Sequence, residues 1–173
     1  KLRDLPATGG REGVGKVVEA GPEVDGAILG KLVSMPEHQG VWQSYAVGVV
    51  EDLILLPSLV PADQLAVAIL NPVTAWRILH DFEYLREGDF IVQNAGNSAV
   101  GQAVVQFARM LGISCISLVR SDERLKELKN LGVEHVLLDD EAVPKHVLDL
   151  TSGKKCVMAL NSVGVKSASR LAK

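Results

Sequence analysis

The chain has 173 residues, of which 47% are apolar, 23% charged and 4% aromatic. This is the composition of an ordinary folded protein, and the length is enough for one large domain or two small ones. The net charge of −3, from 18 basic and 21 acidic residues, argues against nucleic-acid binding. No run approaches the ~20 consecutive apolar residues that cross a membrane, so we expect no membrane-spanning segment.

The two cysteines, Cys115 and Cys156, lie in apolar, strand-like runs and are predicted to be reduced and buried. Two distant cysteines provide neither a disulfide framework nor a cysteine-based zinc site. The chain starts at Lys1 without an initiator Met. We therefore expect the natural N-terminus, with any targeting peptide, to lie upstream.

The first 60 residues have a β-like pattern. Short runs of strand-forming residues are separated by Gly and Pro, which predicts a small barrel or sandwich. These runs are Val14–Gly21, Lys31–Met35, Val41–Val47 and Leu53–Pro57. After Pro61 the spacing of apolar residues becomes helical, and Pro72 predicts two helices that meet at Asn71.

From Gly88 the pattern alternates between strands and helices. Four apolar strands are predicted, at Phe90–Val92, Cys115–Val119, Val136–Leu138 and Cys156–Leu160. Two amphipathic helices between them are predicted to end at Gly112 and Gly132. This alternation indicates a parallel sheet covered on both faces, whereas a complete dinucleotide-binding sheet has six strands.

The segment Val92–Gln102 joins the first of these strands to the first helix, where dinucleotide-binding folds hold a pyrophosphate on the helix N-terminus. Gly96 is expected to relieve the turn, and Gly101 to let helix and strand pack closely. Between these glycines lie small residues that allow a phosphate to approach: Asn97, Ser98 and Ala99. The alternative is an ordinary strand-to-helix turn capped by Asn97 or Ser98.

The end of the second strand carries Arg120, followed by Ser121 and Asp122. Folds that bind NAD place an acidic residue about 20 residues after the loop, where it binds the ribose 2′-hydroxyl. A guanidinium at this position favours the 2′-phosphate of NADPH instead. The alternative is a solvated Arg120, with Ser121 and Asp122 at the N-terminus of the next helix, and both interpretations can hold together.

Three motifs carry a family resemblance: Gly10-x-Glu12-Gly13-x-Gly15-x-Val17, Asn71-Pro72-x-Thr74-Ala75, and Gln93-Asn94-Ala95-x-Asn97-Ser98-x-Val100-Gly101-Gln102. Together they resemble the medium-chain dehydrogenase/reductase superfamily and, within it, the mitochondrial 2-enoyl thioester reductases. The resemblance implies an α/β protein, with a partial GroES-like β-barrel domain followed by a partial Rossmann domain, a doubly wound parallel sheet. The expected boundaries are residues 1–60 for the barrel, 61–87 for connecting helices and 88–173 for the Rossmann domain.

The resemblance also implies a function: NADPH-dependent reduction of trans-2-enoyl thioesters, carried by coenzyme A or a carrier protein, in mitochondrial fatty acid synthesis. A mitochondrial location and a homodimer are implied with it. Carried over by position, Asn71 would contact the nicotinamide end of the cofactor. The pyrophosphate would be cradled by Asn97, Ser98, Ala99 and Val100. The 2′-phosphate would be surrounded by Arg120, Ser121 and Asp122.

The proton-donating Tyr of the family lies upstream of the first motif, so it is expected before Lys1, and Tyr45 and Tyr84 are interpreted as packing residues. Zinc-dependent relatives carry a His where this chain has Arg11, so no metal is predicted. The histidines show no ligand spacing either; they are His38, His80, His135 and His146. Two alternative functions are a zinc-free NADPH quinone or enone reductase and a non-catalytic NADPH-binding interaction protein.

Overall fold

A computed structural model describes residues 7–35 and 40–172. They form two compact units, and the boundary between the units falls between Leu70 and Asn71. No helix in the described part of the chain combines the length and the apolar character that crossing a membrane requires. His38 lies outside the described residues.

The first unit contains a three-stranded antiparallel sheet whose strands pair in chain order. These strands are β1 (Val14–Lys16), β2 (Leu32–Ser34) and β3 (Ile54–Leu56). Single turns of 3-10 helix cover Gly26–Ile28 and Val50–Asp52, and the short helix α1 (Ala62–Leu65) follows. Three of the four predicted strand runs are therefore confirmed, each over a shorter stretch than expected.

The predicted strand at Val41–Val47 is wrong, because these residues form turns and irregular backbone. The Gln43 N–H donates to the Val41 carbonyl at 2.8 Å, and the Gln43 side-chain amide donates to the Gly40 carbonyl at 2.8 Å. These local hydrogen bonds bend the segment, which prevents it from joining the sheet. The interpretation of Tyr45 as a packing residue is also wrong, because its side chain is 78% exposed.

The second unit is built on a four-stranded parallel sheet. Its strands are β4 (Phe90–Gln93), β5 (Ser114–Val119), β6 (His135–Leu138) and β7 (Met158–Leu160). They lie in the order β6-β5-β4-β7. Numbered within this unit the order is 3-2-1-4, which is the arrangement of the first four strands of a dinucleotide-binding sheet. The unit is therefore Rossmann-like.

Five helices accompany this sheet: α2 (Leu70–Asp81), α3 (Ala99–Met110), α4 (Asp122–Asn130), α5 (Val143–Leu150) and α6 (Val165–Leu171). Gly112 and Gly132 follow α3 and α4 with φ of +69° and +81°, which confirms their predicted role in ending these helices. The predicted helix junction at Asn71 is displaced, because α1 ends at Leu65 and α2 begins at Leu70. Pro72 then falls in the first turn of α2, where its missing N–H removes no helical hydrogen bond.

Helices pack on both faces of the parallel sheet, as predicted. Neighbouring strand residues point to opposite faces: Ile91 packs with Ala75 and Val104 of α2 and α3, whereas Val92 packs with Val143 of α5. A third cluster joins the end of β5 to Leu128 of α4. Tyr84, which follows α2, is 78% exposed, so its interpretation as a packing residue is wrong.

Candidate functional site

The segment between β4 and α3 forms a compact turn at the carboxyl end of the sheet. Ala95 has φ of +50°, the Gly96 N–H donates to the Leu118 carbonyl of β5 at 3.0 Å, and the Ser98 N–H donates to the Ala95 carbonyl at 2.9 Å. Ser98 Oγ accepts a hydrogen bond from the Gly101 N–H at 3.0 Å and caps α3. The turn therefore leads directly into the helix N-terminus and is tied to the neighbouring strand.

Gly96 and Gly101 stand where the backbone approaches other atoms closely. A Cβ on Gly96 would lie 2.6 Å from Ser117 Cβ, and a Cβ on Gly101 would lie 2.7 Å from the Ala95 carbonyl oxygen. The predicted role of Gly101 in close packing is confirmed. The residue of the turn that adopts the left-handed backbone conformation, with positive φ, is Ala95 rather than Gly96. The prediction that Gly96 relieves the turn is therefore wrong, and Gly96 serves the close approach to β5 instead.

Amide side chains hold this turn in shape. Gln93 Nε2, which is buried, donates to the Gly101 carbonyl at 2.9 Å and to Ser117 Oγ at 3.0 Å. Gln102 Nε2 donates to the Asn97 carbonyl at 3.0 Å. The first N–H groups of α3 have no acceptor inside the helix, and the Ser98 hydroxyl can still donate its own proton. The turn is thus a fixed set of donors suited to an anion.

Arg120 directly follows β5, beside this turn. It is exposed, and its side chain makes no hydrogen bond or ion pair within residues 7–35 and 40–172. Ser121 Oγ accepts from the Arg124 N–H at 3.4 Å and caps α4, and Asp122 is the first residue of that helix. The helix-capping interpretation of Ser121 and Asp122 is therefore confirmed. Next to this helix cap, the guanidinium of Arg120 is a positive charge with no ion-pair partner in the part of the chain that the structure describes.

The structure brings two of the three predicted clusters together. Residues 97–100 and 120–122 follow the paired strands β4 and β5 at the same edge of the sheet. Asn71 lies elsewhere in the second unit, half-buried in the first turn of α2. Its contact with the nicotinamide end of a cofactor stays a prediction.

Neither cysteine is set up for metal or redox chemistry. Both are free thiols, Cys115 buried and Cys156 half-buried. Burial raises the pKa of Cys115 to about 12 against the opposing effect of its hydrogen bond with Ser117, and burial also raises the pKa of Cys156. Such thiols form little thiolate at neutral pH. Among the described residues, no group of three or more His, Cys, Asp or Glu side chains is placed to hold a metal ion.

A polar network at the same sheet edge was not predicted from the sequence. We call it the carboxyl-edge network; it consists of Asn94, Asp139, Asn161, Ser167 and Arg170. Asn94 follows β4 and is 2% exposed. Its Nδ2 donates to Asn161 Oδ1 and to Ser167 Oγ, both at 2.8 Å.

The network ends on an ion pair between Asp139, which follows β6, and Arg170 of α6. Arg170 Nε donates to Asp139 Oδ1 at 2.7 Å, and the Ser167 hydroxyl donates to Asp139 Oδ2. Burial by itself raises the pKa of Asp139, but the hydrogen bonds from Arg170 and Ser167 and the charge of Arg170 outweigh it and lower the pKa. The sequence signal was a polar residue directly after each apolar strand, because such strand ends meet at one edge of a parallel sheet.

Comparison with known proteins identifies relatives of the whole chain. Residues 99–172 match the family model described as zinc-binding dehydrogenase. The mitochondrial enoyl-[acyl-carrier-protein] reductase of Xenopus tropicalis is 43% identical over 98% of this chain. The alignment covers 50% of that relative, so the chain spans about half the length of the curated protein that it matches.

Solved structures are similar over nearly the same range. The mitochondrial 2-enoyl thioester reductase Etr1p/Etr2p heterodimer from Candida tropicalis is 30% identical with a TM-score of 0.82, over 96% of this chain and 52% of that one. The complex of Etr1p with NADP and crotonyl-CoA gives the same identity, TM-score and coverage. A Bacillus thuringiensis protein described as an NADPH:quinone reductase is 29% identical with a TM-score of 0.81, over 94% of this chain and 50% of that one. The chain is therefore a homologue of the mitochondrial enoyl-[acyl-carrier-protein] reductases, and its second half matches the zinc-binding dehydrogenase family model.

Proposed function

We propose that the natural protein catalyses NADPH-dependent reduction of trans-2-enoyl thioesters to acyl thioesters in mitochondrial fatty acid synthesis. The observation that carries the proposal is the 43% identity with a mitochondrial enoyl-[acyl-carrier-protein] reductase over 98% of the chain. The similarity to Etr1p in complex with NADP and crotonyl-CoA supports the cofactor and the substrate class. A mitochondrial location and a homodimer belong to the proposal, and both rest on relatives.

The proposal also assigns a domain type to each part of the chain. We propose a GroES-like barrel within residues 1–60, connecting helices over 61–87 and a doubly wound Rossmann domain over 88–173. The antiparallel order β1-β2-β3 and the parallel order β6-β5-β4-β7 support this division.

Two features of the second unit support a cofactor site at the carboxyl edge. The first is the turn between β4 and α3, where the first N–H groups of the helix have no acceptor inside it and are available to an anion. The second is the exposed charge of Arg120. The N-terminus of α3 would hold the pyrophosphate through Asn97, Ser98, Ala99 and Val100. The 2′-phosphate would lie beside Arg120, Ser121 and Asp122, and the nicotinamide end beside Asn71.

In the proposed reaction the bound NADPH supplies a hydride for the β-carbon of the substrate. The residues of this chain bind and orient the cofactor, through donors that the fold has already fixed in place. The α-carbon needs a proton from a general acid, which we propose is a tyrosine outside the 173 residues, because neither Tyr45 nor Tyr84 matches the family position. Arg11 stands where zinc-dependent relatives carry a ligand, so we expect activity to survive dialysis against a chelator.

The activity is tested by following NADPH oxidation by the full-length gene product with crotonyl-CoA and identifying butyryl-CoA as the product. A polypeptide limited to residues 1–173 is expected to be inactive, because it lacks the proposed proton donor. Activity with quinones but with no enoyl thioester would favour the quinone reductase alternative, which the similarity to the Bacillus thuringiensis protein supports. NADPH binding without turnover of either substrate would indicate the non-catalytic alternative.

The cofactor assignment is tested with Arg120→Ala in the full-length protein. Loss of one charge-assisted contact should weaken NADPH binding by about 1.5–3 kcal/mol and leave NADH binding nearly unchanged. Arg109→Ala is the matched control, because Arg109 is an exposed arginine in the last turn of α3, at the end away from the proposed site. Equal losses for the two cofactors, or the same loss in the control, would refute the role of Arg120.

A further inference from the structure

We propose that Asn94 and Ser167 are positioning residues for the cofactor: they fasten the loop over residues 161–164 to β4 and thereby shape the nicotinamide half of the binding cleft. This proposal deepens the function proposed above and rests on it. It concerns residues that would act through the loop rather than by contact with the cofactor.

The loop over residues 161–164 follows β7 at the point where the strand order of the sheet reverses. β4 has β5 on one side and β7 on the other. The Asn94 N–H donates to the Leu160 carbonyl at 3.1 Å, which keeps the two chain segments together as they leave the sheet. Ligands of open α/β sheets bind in the crevice outside such a reversal point. Since Arg120 lies on the β5 side, where the adenosine half belongs, the nicotinamide half belongs on the β7 side.

Two asparagine side chains determine the backbone of this loop. Asn161 Oδ1 accepts from the N–H groups of Val163 at 3.3 Å and Gly164 at 3.1 Å, in addition to Asn94 Nδ2. Asn94 Oδ1 accepts from the Ser162 N–H at 2.6 Å. Three consecutive backbone N–H groups are therefore bound by side-chain oxygens. Gly164 takes φ of +112°, so the loop turns sharply into α6.

Ser167 connects Asn94, which holds the loop, to the ion pair between Asp139 and Arg170 at the far end of the carboxyl-edge network. Its hydroxyl accepts from Asn94 Nδ2 and donates to Asp139, which Arg170 also holds. Ser167 is 3% exposed, so a lost hydrogen bond here would leave buried polar groups unpaired. Apolar side chains in place of this network could pack α6 against the sheet without the desolvation cost of an ion pair. A connected polar network instead specifies one arrangement of the loop relative to β4.

The test uses Ser167→Ala in the full-length protein and two probes, NADPH and 2′,5′-ADP, which carries the adenosine half of the cofactor without the nicotinamide. NADPH should bind about fivefold to tenfold more weakly, whereas 2′,5′-ADP should bind as it does to the wild type. Asn94→Leu should show the same selectivity with a larger loss. Binding is measured by titration calorimetry, and thermal unfolding establishes that each variant is folded.

The matched control is Thr151→Val, which also removes a buried hydroxyl. Thr151 is 1% exposed, and its Oγ1 donates to the Leu148 carbonyl at 3.4 Å at the end of α5, on the opposite edge of the sheet. Both probes should bind this variant as they bind the wild type. If Ser167→Ala weakens both probes equally, or weakens neither, the inference is overturned while the proposed function stands. If the wild-type protein binds neither probe, both are overturned.

Discussion

The two units bury their apolar residues to different degrees, although each is built around a sheet. Of the 18 apolar residues that are buried in the described part of the chain, the first unit holds two, Val33 and Leu65, and the second unit holds the other 16. Large apolar side chains of the first unit are exposed by contrast, as Trp42 at 81%, Val47 at 91% and Leu59 at 96% demonstrate.

Layering explains the difference. Helices cover both faces of the sheet in the second unit. Every residue of β4 and β5 after the first residue of each strand is therefore buried. Strands of three residues in a single antiparallel sheet cannot enclose a core without another layer. A cavity of about 1000 Å³ accordingly opens beside β1 and residues 43–48. The unit that would hold the cofactor is the one that contains most of the buried apolar residues.

Core truncation tests this contrast with the largest expected effect. Ile116 is fully buried at the centre of the parallel sheet, whereas Leu55 of β3 is 63% exposed. Ile116→Ala should lower the free energy of unfolding by about 2–5 kcal/mol, because it leaves a cavity among packed side chains. Leu55→Ala should change the free energy by about 0.5 kcal/mol or less. Urea denaturation of both variants measures the difference, and similar losses would contradict the contrast between the units.

Replacing one glycine in each unit by alanine tests how tightly other atoms pack around the backbone there. In Gly101→Ala the new Cβ would lie 2.7 Å from the Ala95 carbonyl oxygen, so we expect a loss of about 1–3 kcal/mol from overpacking. Gly26→Ala is the counterpart in the first unit, where a Cβ would meet no atom within 4 Å. We expect Gly26→Ala to remain within about 0.5 kcal/mol of the wild type in thermal unfolding. A tolerated alanine at Gly101 would mean that the turn is wider than described.

The ion pair of the second unit should give its stability a distinct pH dependence. The pKa of Asp139 is lower in the folded protein than in the unfolded chain, so its carboxylate stabilises the fold above a pH of about 4. This contribution is lost as the pH falls through the lowered folded pKa. Asp139→Asn should therefore be less stable than the wild type at pH 7, and the difference should shrink at pH 3. A difference that is the same at both pH values would argue against the ion pair.

The smallest effect is expected for the reaction of the folded protein with a thiol reagent. Cys115 and Cys156 are the only cysteines and both lie in the second unit, so this reaction monitors that unit alone. With the pKa of Cys115 at about 12, roughly one thiol in ten thousand is ionised at pH 8. A Cys156→Ser variant should therefore react very slowly with a disulfide reagent in its folded state. Addition of urea beyond the unfolding midpoint should restore prompt labelling. Prompt labelling of the folded variant would indicate that the core around Cys115 opens readily.

The sequence predicted the second unit more accurately than the first, and the reason lies in the range of the signals. Gly112 and Gly132 end helices through their own backbone conformation. The runs that became β4 and β5 are almost entirely apolar, so local patterns were sufficient. The run Val41–Val47 has the composition of a strand as well. Whether it becomes one depends on a partner strand, which composition does not specify, and the turn hydrogen bonds of Gln43 prevail.

The same distinction applies to the candidate site. The turn at residues 95–101 lies within a single strand-to-helix junction, so its position could be predicted from a short segment. The carboxyl-edge network joins Asn94 to residues 67 and 73 positions further along the chain. Its contacts follow from the order in which the strands pair. A hydrophobic pattern identifies strands but not their neighbours, and the network was therefore missed.

The strand order also determines which strands of the parallel sheet are best protected against local unfolding. Within the described residues, β4 and β5 each pair with a strand on both sides, whereas β6 and β7 each pair on one side. Amide hydrogens of the two central strands should therefore exchange with solvent more slowly than those of the outer strands. The turn at Gly96 and the tip at Arg120 both continue from these central strands. Local unfolding of β6 or β7 would leave the distance between the turn at Gly96 and Arg120 unchanged. Transient opening of these outer strands therefore need not disturb the two parts of the proposed cofactor site.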